Sequence, residues 1–226
     1  MGSKPVKLVK TWIEGFDEML GGGLPDKSVI LMLGEPGSEY DTFAQQLLYQ
    51  HALKGGKVAY FTSFRSPEII REDFETFGWN ISSLEEANQW IFVDVRSPTT
   101  SQTLEKEIPL RIKEDRWILI DSLSSLLLVQ EYQSILKLIE LLLDSARKHG
   151  GIHFLLLTQG MHGPQTEMTL QYLADGVIEF IAQEVGGGID RRMRIKKMRK
   201  AVYAPRLIPF SLTEHGVTIE TAVRIA

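Results

Sequence analysis

The stretch Ser28–Leu48, SVILMLGEPGSEYDTFAQQLL, constrains what this chain can fold into more than any other. A short apolar run, a loop with glycine and proline, and an amphipathic segment follow one another without a gap. Strand, loop and helix in that order aim backbone N–H groups and a helix N-terminus at one point, which is how proteins cradle phosphate. The working pattern is G-x-x-x-x-G-K-[ST], whose lysine neutralises phosphate charge and whose hydroxyl holds Mg²⁺. Gly34 opens the pattern here, and Glu35, Pro36, Gly37 and Ser38 follow. Then Glu39 stands for the second glycine, Tyr40 for the lysine and Asp41 for the hydroxyl, before Thr42 resumes the frame. One carboxylate about 4 Å from a phosphate charge costs roughly 4 kcal/mol at an effective dielectric near 20. Glu39 and Asp41 add two such charges and Tyr40 removes a cation. Residual weak binding of ATP with Mg²⁺ is the alternative to none, because Mg²⁺ accepts carboxylates.

The 226 residues suffice for one sizeable α/β domain, and two would be cramped. The reading is therefore a single domain, 1–226, with a lead-in at 1–27, an α/β core at 28–174 and a β-rich extension at 175–226. Val58–Thr62, Trp90–Val95, Trp117–Asp121 and Ile152–Thr158 read as strands alternating with helices, which implies a mostly parallel sheet covered on both faces. Helices are expected at Asp41–Lys54, from Ser66 to about Phe77, after Ser97–Gln102 with a break near Pro109, and at Tyr132–Lys148, the last apolar on most faces. Val177–Val185, Arg191–Arg199, Arg206–Leu212 and Val217–Val223 read as successive antiparallel strands. No cysteine is present, which excludes disulfides, thiol catalysis and cysteine-ligated metal. The net charge of −4 gives no global basic field. No apolar run approaches the length of a membrane span, so a cytoplasmic protein with no membrane partner is expected.

Several separated stretches resemble the KaiC-like branch of the RecA/RadA P-loop ATPases. They are Ile13–Pro25 (IEGFDEMLGGGLP), Phe77-Gly78-Trp79, Ile120–Ser124 (IDSLS), Leu173–Ile178 (LADGVI), Lys197-Met198-Arg199 and Ile208-Pro209-Phe210. The resemblance implies a RecA-type core, usually built into rings with nucleotide between protomers. Asp121 matches the strand-end (Walker B) aspartate of that family, and Gln159 the polar sensor position after the fifth strand. A surface loop is the alternative for Gln159. Lys197 and Arg199 match a lysine and arginine that reach toward a neighbour's γ-phosphate. The family's S-x-E-E-S-P run, whose glutamates activate water, is matched by Thr62–Pro67, with Phe64 and Arg65 in place of both glutamates. The degenerate positions are thus Tyr40, Asp41, Phe64 and Arg65.

Two clusters carry rival readings. Glu35, Glu39, Asp41 and Asp121 form either an oxygen-lined cation site or a set of solvated loop acids with a retained strand-end aspartate. Arg191–Lys200 holds seven cations in ten residues. It is either a nucleic-acid stripe or a soluble edge hairpin or subunit interface, because both faces of a regular strand there would mix charge and apolar character. His149, His153, His162 and His215 lack metal-ligand spacing, and no metal is assigned. The expectation is a catalytically inactive KaiC-like protein with no cofactor, acting as an interaction or regulatory subunit through self-association or assembly with a paralogue. A slow ATPase and a DNA-binding recombinase paralogue are the alternatives.

Overall fold

Val29, Leu31 and Leu33 face one side of the central sheet and Ile30 and Met32 the other, and all five are fully buried. An apolar strand with no polar face needs cover on both sides, and the computed structural model, which describes residues 6–97, 100–203 and 206–220, supplies it. The elements run β1 (Leu8–Val9), α1 (Phe16–Met19), β2 (Leu24–Pro25), β3 (Ser28–Gly34), α2 (Tyr40–Leu53), β4 (Lys57–Thr62), α3 (Pro67–Thr76), α4 (Ile81–Glu86) and β5 (Trp90–Asp94). They continue with α5 (Thr100–Lys113), β6 (Arg116–Asp121), α6 (Leu123–Val129), α7 (Tyr132–His149), β7 (Ile152–Thr158), α8 (Pro164–Leu173), β8 (Gly176–Val185), β9 (Gly188–Met198), β10 (Ile208–Thr213) and β11 (Gly216–Ile219).

Nine strands form one sheet in the order β11-β10-β9-β8-β3-β7-β6-β4-β5. The parallel part spans β8, β3, β7, β6, β4 and β5. Residues of α1, α2, α3 and α4 cover one face with Phe16, Phe43, Leu47, Ile70 and Phe74, and α5, α6, α7 and α8 cover the other. This is the mostly parallel sheet with antiparallel C-terminal strands that the sequence implied. Because the strands are parallel, the loops after β3, β4, β6 and β7 emerge at one edge: Gly34 pairs with Thr158, and Thr62 with Asp121.

The C-terminal strands pair antiparallel in succession, β8 with β9, β9 with β10 and β10 with β11, while β8 also lies parallel to β3 and joins them to the core sheet. The details differ in three places. The helix α5 runs through Pro109, because Leu104, Ile108 and Ile112 on its buried face outweigh one missing backbone donor. In α7, Gln133, Lys137, Glu140 and Asp144 are exposed opposite Ile135, Leu138, Ile139 and Leu142, so the helix is amphipathic and not apolar on most faces. And a bulge in the β8–β9 pairing at Val177/Ile178 lets Met198 rejoin Met193 and Ile195 in the core, so these three share one buried face. The expected strand end at Thr221–Val223 lies outside the described residues.

The Gly-rich lead-in has a steric cause. Gly23 has φ +139, and a Cβ there would sit 2.4 Å from the Val9 carbonyl oxygen, where β1 pairs with β2. A second tie joins α2 to the C-terminal hairpin: the Gln46 amide accepts from Val217 N–H at 2.6 Å and donates to Val217 C=O at 3.0 Å. Among the described residues no helix is long and apolar enough to cross a membrane.

Candidate functional site

The loop Glu35–Glu39 leaves the end of β3 and enters α2 as the phosphate-loop reading expects. Gly37 (φ 82) and Glu39 (φ 58) both take left-handed backbone, and the Ser38 hydroxyl donates to the Glu35 carbonyl at 2.7 Å. Glu39 thus holds a conformation that a glycine adopts without cost, which explains why the pattern asks for glycine there. Glu35, Pro36 and Gly37 are exposed.

Tyr40 lies back across the loop. A Cβ at Gly34 would come within 2.6 Å of its ring, and its hydroxyl is 2.9 Å from that of Thr158 at the end of β7. Burial, reinforced by Asp41 and Asp121, pushes the Tyr40 hydroxyl above its ordinary range, against the hydrogen bond with Thr158 and the charge of Arg65, so it stays a neutral phenol. The backbone of the next strand end closes the same region, with Gln159 N–H donating to the Gly34 carbonyl at 2.9 Å. The Gln159 side-chain oxygen is buried without a partner among the described residues.

Arg65 reaches from the end of β4 to three carboxylates. Its Nη2 lies 3.1 Å from Asp121 Oδ2 and 3.7 Å from Asp41 Oδ2, and its Nη1 lies 2.5 Å from Asp73 Oδ2. Thr62 Oγ1 donates to the Arg65 carbonyl, fixing the turn. Behind Asp121, Tyr60 donates its hydroxyl to Oδ2 at 2.5 Å and accepts from the Gln45 amide at 3.0 Å. Burial raises the Asp121 carboxyl above the usual carboxylate range, while Arg65 and the Tyr60 hydrogen bond pull the other way. Burial opposes the Arg65 charge, but Asp121, Tyr60, Asp41 and Asp73 more than offset it and hold the guanidinium protonated. Phe64, beside it, is 77% exposed and touches none of this.

The four-acid cation site weighed from the sequence does not assemble. Asp41 and Asp121 meet around Arg65, but Glu35 is exposed and Glu39 turns to Arg191 (3.4 Å) and Thr42 (3.1 Å). Among the described residues no cluster of His, Asp and Glu is placed to hold a metal ion. Beside the loop, a cleft of about 270 Å³ is bounded by Glu39, Asp41, Gln45, Arg65 and Asp73, three carboxylates to one guanidinium.

The cations of Arg191–Lys200 are mostly engaged within the chain. Arg191 donates to the Gly37 carbonyl at 2.9 Å, Arg192 pairs with Asp190, and Arg194 and Lys196 both hold the buried Glu179, at 2.5 and 3.1 Å. Lys197 donates to the carbonyls of Gln171, Tyr172 and Ala174 at 3.1, 2.7 and 2.6 Å, closing the C-terminus of α8. Arg199, half-exposed, lies 3.5 Å from Asp175, whose carboxylate also accepts from Val29 N–H.

Sequence reasoning missed Tyr60, Gln45 and Asp73, placed Thr158 only in the sensor run and Arg191 only in the cationic run, and counted Arg65 only as a missing glutamate. One signal was available: against the family pattern, position 41 carries an acid where a hydroxyl is expected and position 65 a base where an acid is expected.

A family model described as "ATPase: KaiC" matches residues 9–223. A UPF0273 protein of Thermotoga maritima is 26% identical over 240 residues, covering 95% of this chain and 96% of its own. A UPF0273 protein of Methanopyrus kandleri is 28% identical over 239 residues, with 95% and 92% covered. The crystal structure of a KaiC-like protein from Pyrococcus horikoshii superposes with a TM-score of 0.84 at 26% identity, covering 96% of this chain and all of that one. With the family model spanning nearly the whole sequence and the fold shared, the chain belongs to the KaiC ATPase family of the RecA-type P-loop proteins.

Proposed function

We propose that this KaiC-family chain does not turn over ATP and works as an interaction or regulatory subunit, through contacts with copies of itself or with a family member whose loop is intact. The observation that carries this reading is the Tyr40 ring, packed on Gly34 and anchored to Thr158 at the position of the pattern's phosphate-binding lysine. An uncharged phenol there supplies no cation to a phosphate. The Phe64 and Arg65 side chains also lack the carboxylate that would activate water. The lining of the adjacent cleft, three carboxylates to one guanidinium, disfavours a polyphosphate further. The nucleic-acid alternative loses support from the pairing of Arg192, Arg194 and Lys196 with acids of the same chain. Of the two residues assigned to protomer contact, Arg199 is the one whose guanidinium reaches solvent. A cytoplasmic location belongs to the same reading.

The test is steady-state phosphate release at millimolar ATP and Mg²⁺, together with native mass with and without nucleotide. Release should match a buffer blank, and an assembly should form that ignores ATP. Turnover above the blank that disappears in Asp121→Asn would overturn the reading.

A further inference from the structure

We propose that the Arg65 guanidinium is this chain's built-in replacement for a divalent cation. It joins the loop helix to the end of β6, so that the site holds together with neither metal nor nucleotide. The inference rests on the functional reading above and says what maintains the silent site.

In P-loop enzymes Mg²⁺ sits between the hydroxyl that follows the loop lysine and an acid at the end of a neighbouring strand. Here those two places hold Asp41, in the first turn of α2, and Asp121, ending β6. A single nitrogen, Arg65 Nη2, reaches both, and the other arm of the fork takes Asp73 of α3. One guanidinium therefore ties three elements, α2, α3 and β6, by contacts to their carboxylates. The geometry suits arginine, whose planar fork spreads its donors toward several oxygens.

The surroundings are arranged for a permanent occupant. The Arg65 side chain is only 27% exposed and that of Asp121 12%, so the pair is shielded from the screening that weakens surface ion pairs. Tyr60 supplies a hydrogen bond to Asp121 from the buried side and Gln45 fixes Tyr60. The carbonyl of Arg65 is itself held by Thr62. A divalent ion entering next to the guanidinium would meet like charge at short range. Removing the guanidinium reverses that: Asp41, Asp121 and Asp73 lose the countercharge they share, and carboxylate oxygens are the ligands that hard divalent cations take.

The experiment is thermal unfolding of the full chain in EDTA and in millimolar Mn²⁺, with Mn²⁺ binding read by electron paramagnetic resonance. Wild type should unfold at the same temperature in both and show no bound Mn²⁺. Arg65→Ala should lose roughly 5 °C in EDTA, regain most of it in Mn²⁺ and bind the ion. Arg65→Ala combined with Asp41→Asn should bind no Mn²⁺. Arg65→Lys, which keeps the charge and guards against a variant that fails to fold, should remain indifferent to Mn²⁺. An Arg65→Ala protein indifferent to Mn²⁺, a wild type stabilised as much as the variant, or an Arg65→Lys protein that binds the ion would each overturn the proposal. None of these readouts involves ATP turnover, so failure here is distinguishable from failure of the functional reading.

Discussion

The Tyr40 hydroxyl stands 2.9 Å from the Thr158 hydroxyl, so the first residue of α2 is tied to the last residue of β7 across the mouth of the loop. The tie is a neutral hydrogen bond, worth about 0.5–1.5 kcal/mol. Tyr40→Phe should lower stability in urea by that amount and leave nucleotide binding where it was, because the ring still covers Gly34.

Restoring the phosphate pattern is a stronger intervention. Glu39→Gly, Tyr40→Lys and Asp41→Thr together relieve a left-handed glutamate, return a cation and remove two carboxylates. Isothermal titration should show ATP–Mg²⁺ affinity rising at least about 100-fold, a conservative share of the charge terms removed. Phosphate release should stay at the blank, since neither Phe64 nor Arg65 can take a proton from water. A triple variant that binds no better than wild type would mean the loop backbone does not present its N–H groups to an anion.

Stability should fall with acid over a window set by two histidines. His153 is fully buried, with Nδ1 accepting from Ile118 N–H at 3.2 Å and Nε2 against the Gly150 carbonyl at 3.1 Å. His51 stacks on Trp117 with ring centres 3.7 Å apart. Burial lowers both to about 4. A histidine whose folded pKa lies below its unfolded value of 6.5 is protonated first in the unfolded chain, so stability is present above pH 6.5 and declines as the pH drops toward 4. By pH 5 the loss should reach about 2 kcal/mol per histidine at most. Urea unfolding at pH 7.5 and 5.0 measures it, and His51→Phe should flatten the dependence.

Glu179 restrains two cations at once. Burial alone would raise its carboxyl, but the hydrogen bonds from Arg194 and Lys196 more than offset that and hold it below the ordinary range. Glu179→Gln should release both cations. Retention of double-stranded DNA on a filter at low salt should rise several-fold over wild type, with a steeper salt dependence. Unchanged retention would mean that the β9 cations are not accessible to phosphate even when freed.

The Gln46 side chain completes the β10–β11 hairpin from α2. Gln46→Ala removes two hydrogen bonds and exposes a strand N–H, a loss of about 1–3 kcal/mol. Hydrogen exchange should show the Val217 amide losing protection while β3 and β7 keep theirs.

The alternation of strands and helices was legible because β3, β6 and β7 are apolar runs that only a two-sided sheet can bury. The loop was legible because Gly34, Pro36 and Gly37 keep their spacing. Arg65 was not. A position-by-position comparison registers an absent glutamate there, whereas its meaning lies in Asp41, 24 residues upstream, and Asp121, 56 downstream. The sorting of β9 was hidden for a different reason. Counting in twos assumes a regular ladder, and the bulge at Val177/Ile178 shifts the count by one between Ile195 and Met198. Lys197 was read as reaching outward, since nothing in its neighbours says that three helix-end carbonyls lie within its reach.

The place of β3 in the sheet also dictates when the loop can exist. This strand is made early, yet its two hydrogen-bonded neighbours are β7 and β8, so Ser28 waits for Ile152, and Ile30 for Gly176. Pairings of such long range are slow to form and leave the strand unpaired in the meantime. During synthesis, Val29–Leu33 therefore leaves the ribosome as an apolar segment with no strand beside it, until more than a hundred further residues have been added. The nascent chain is most open to aggregation or chaperone capture in that interval, and the segment at risk is the one that later carries the phosphate loop.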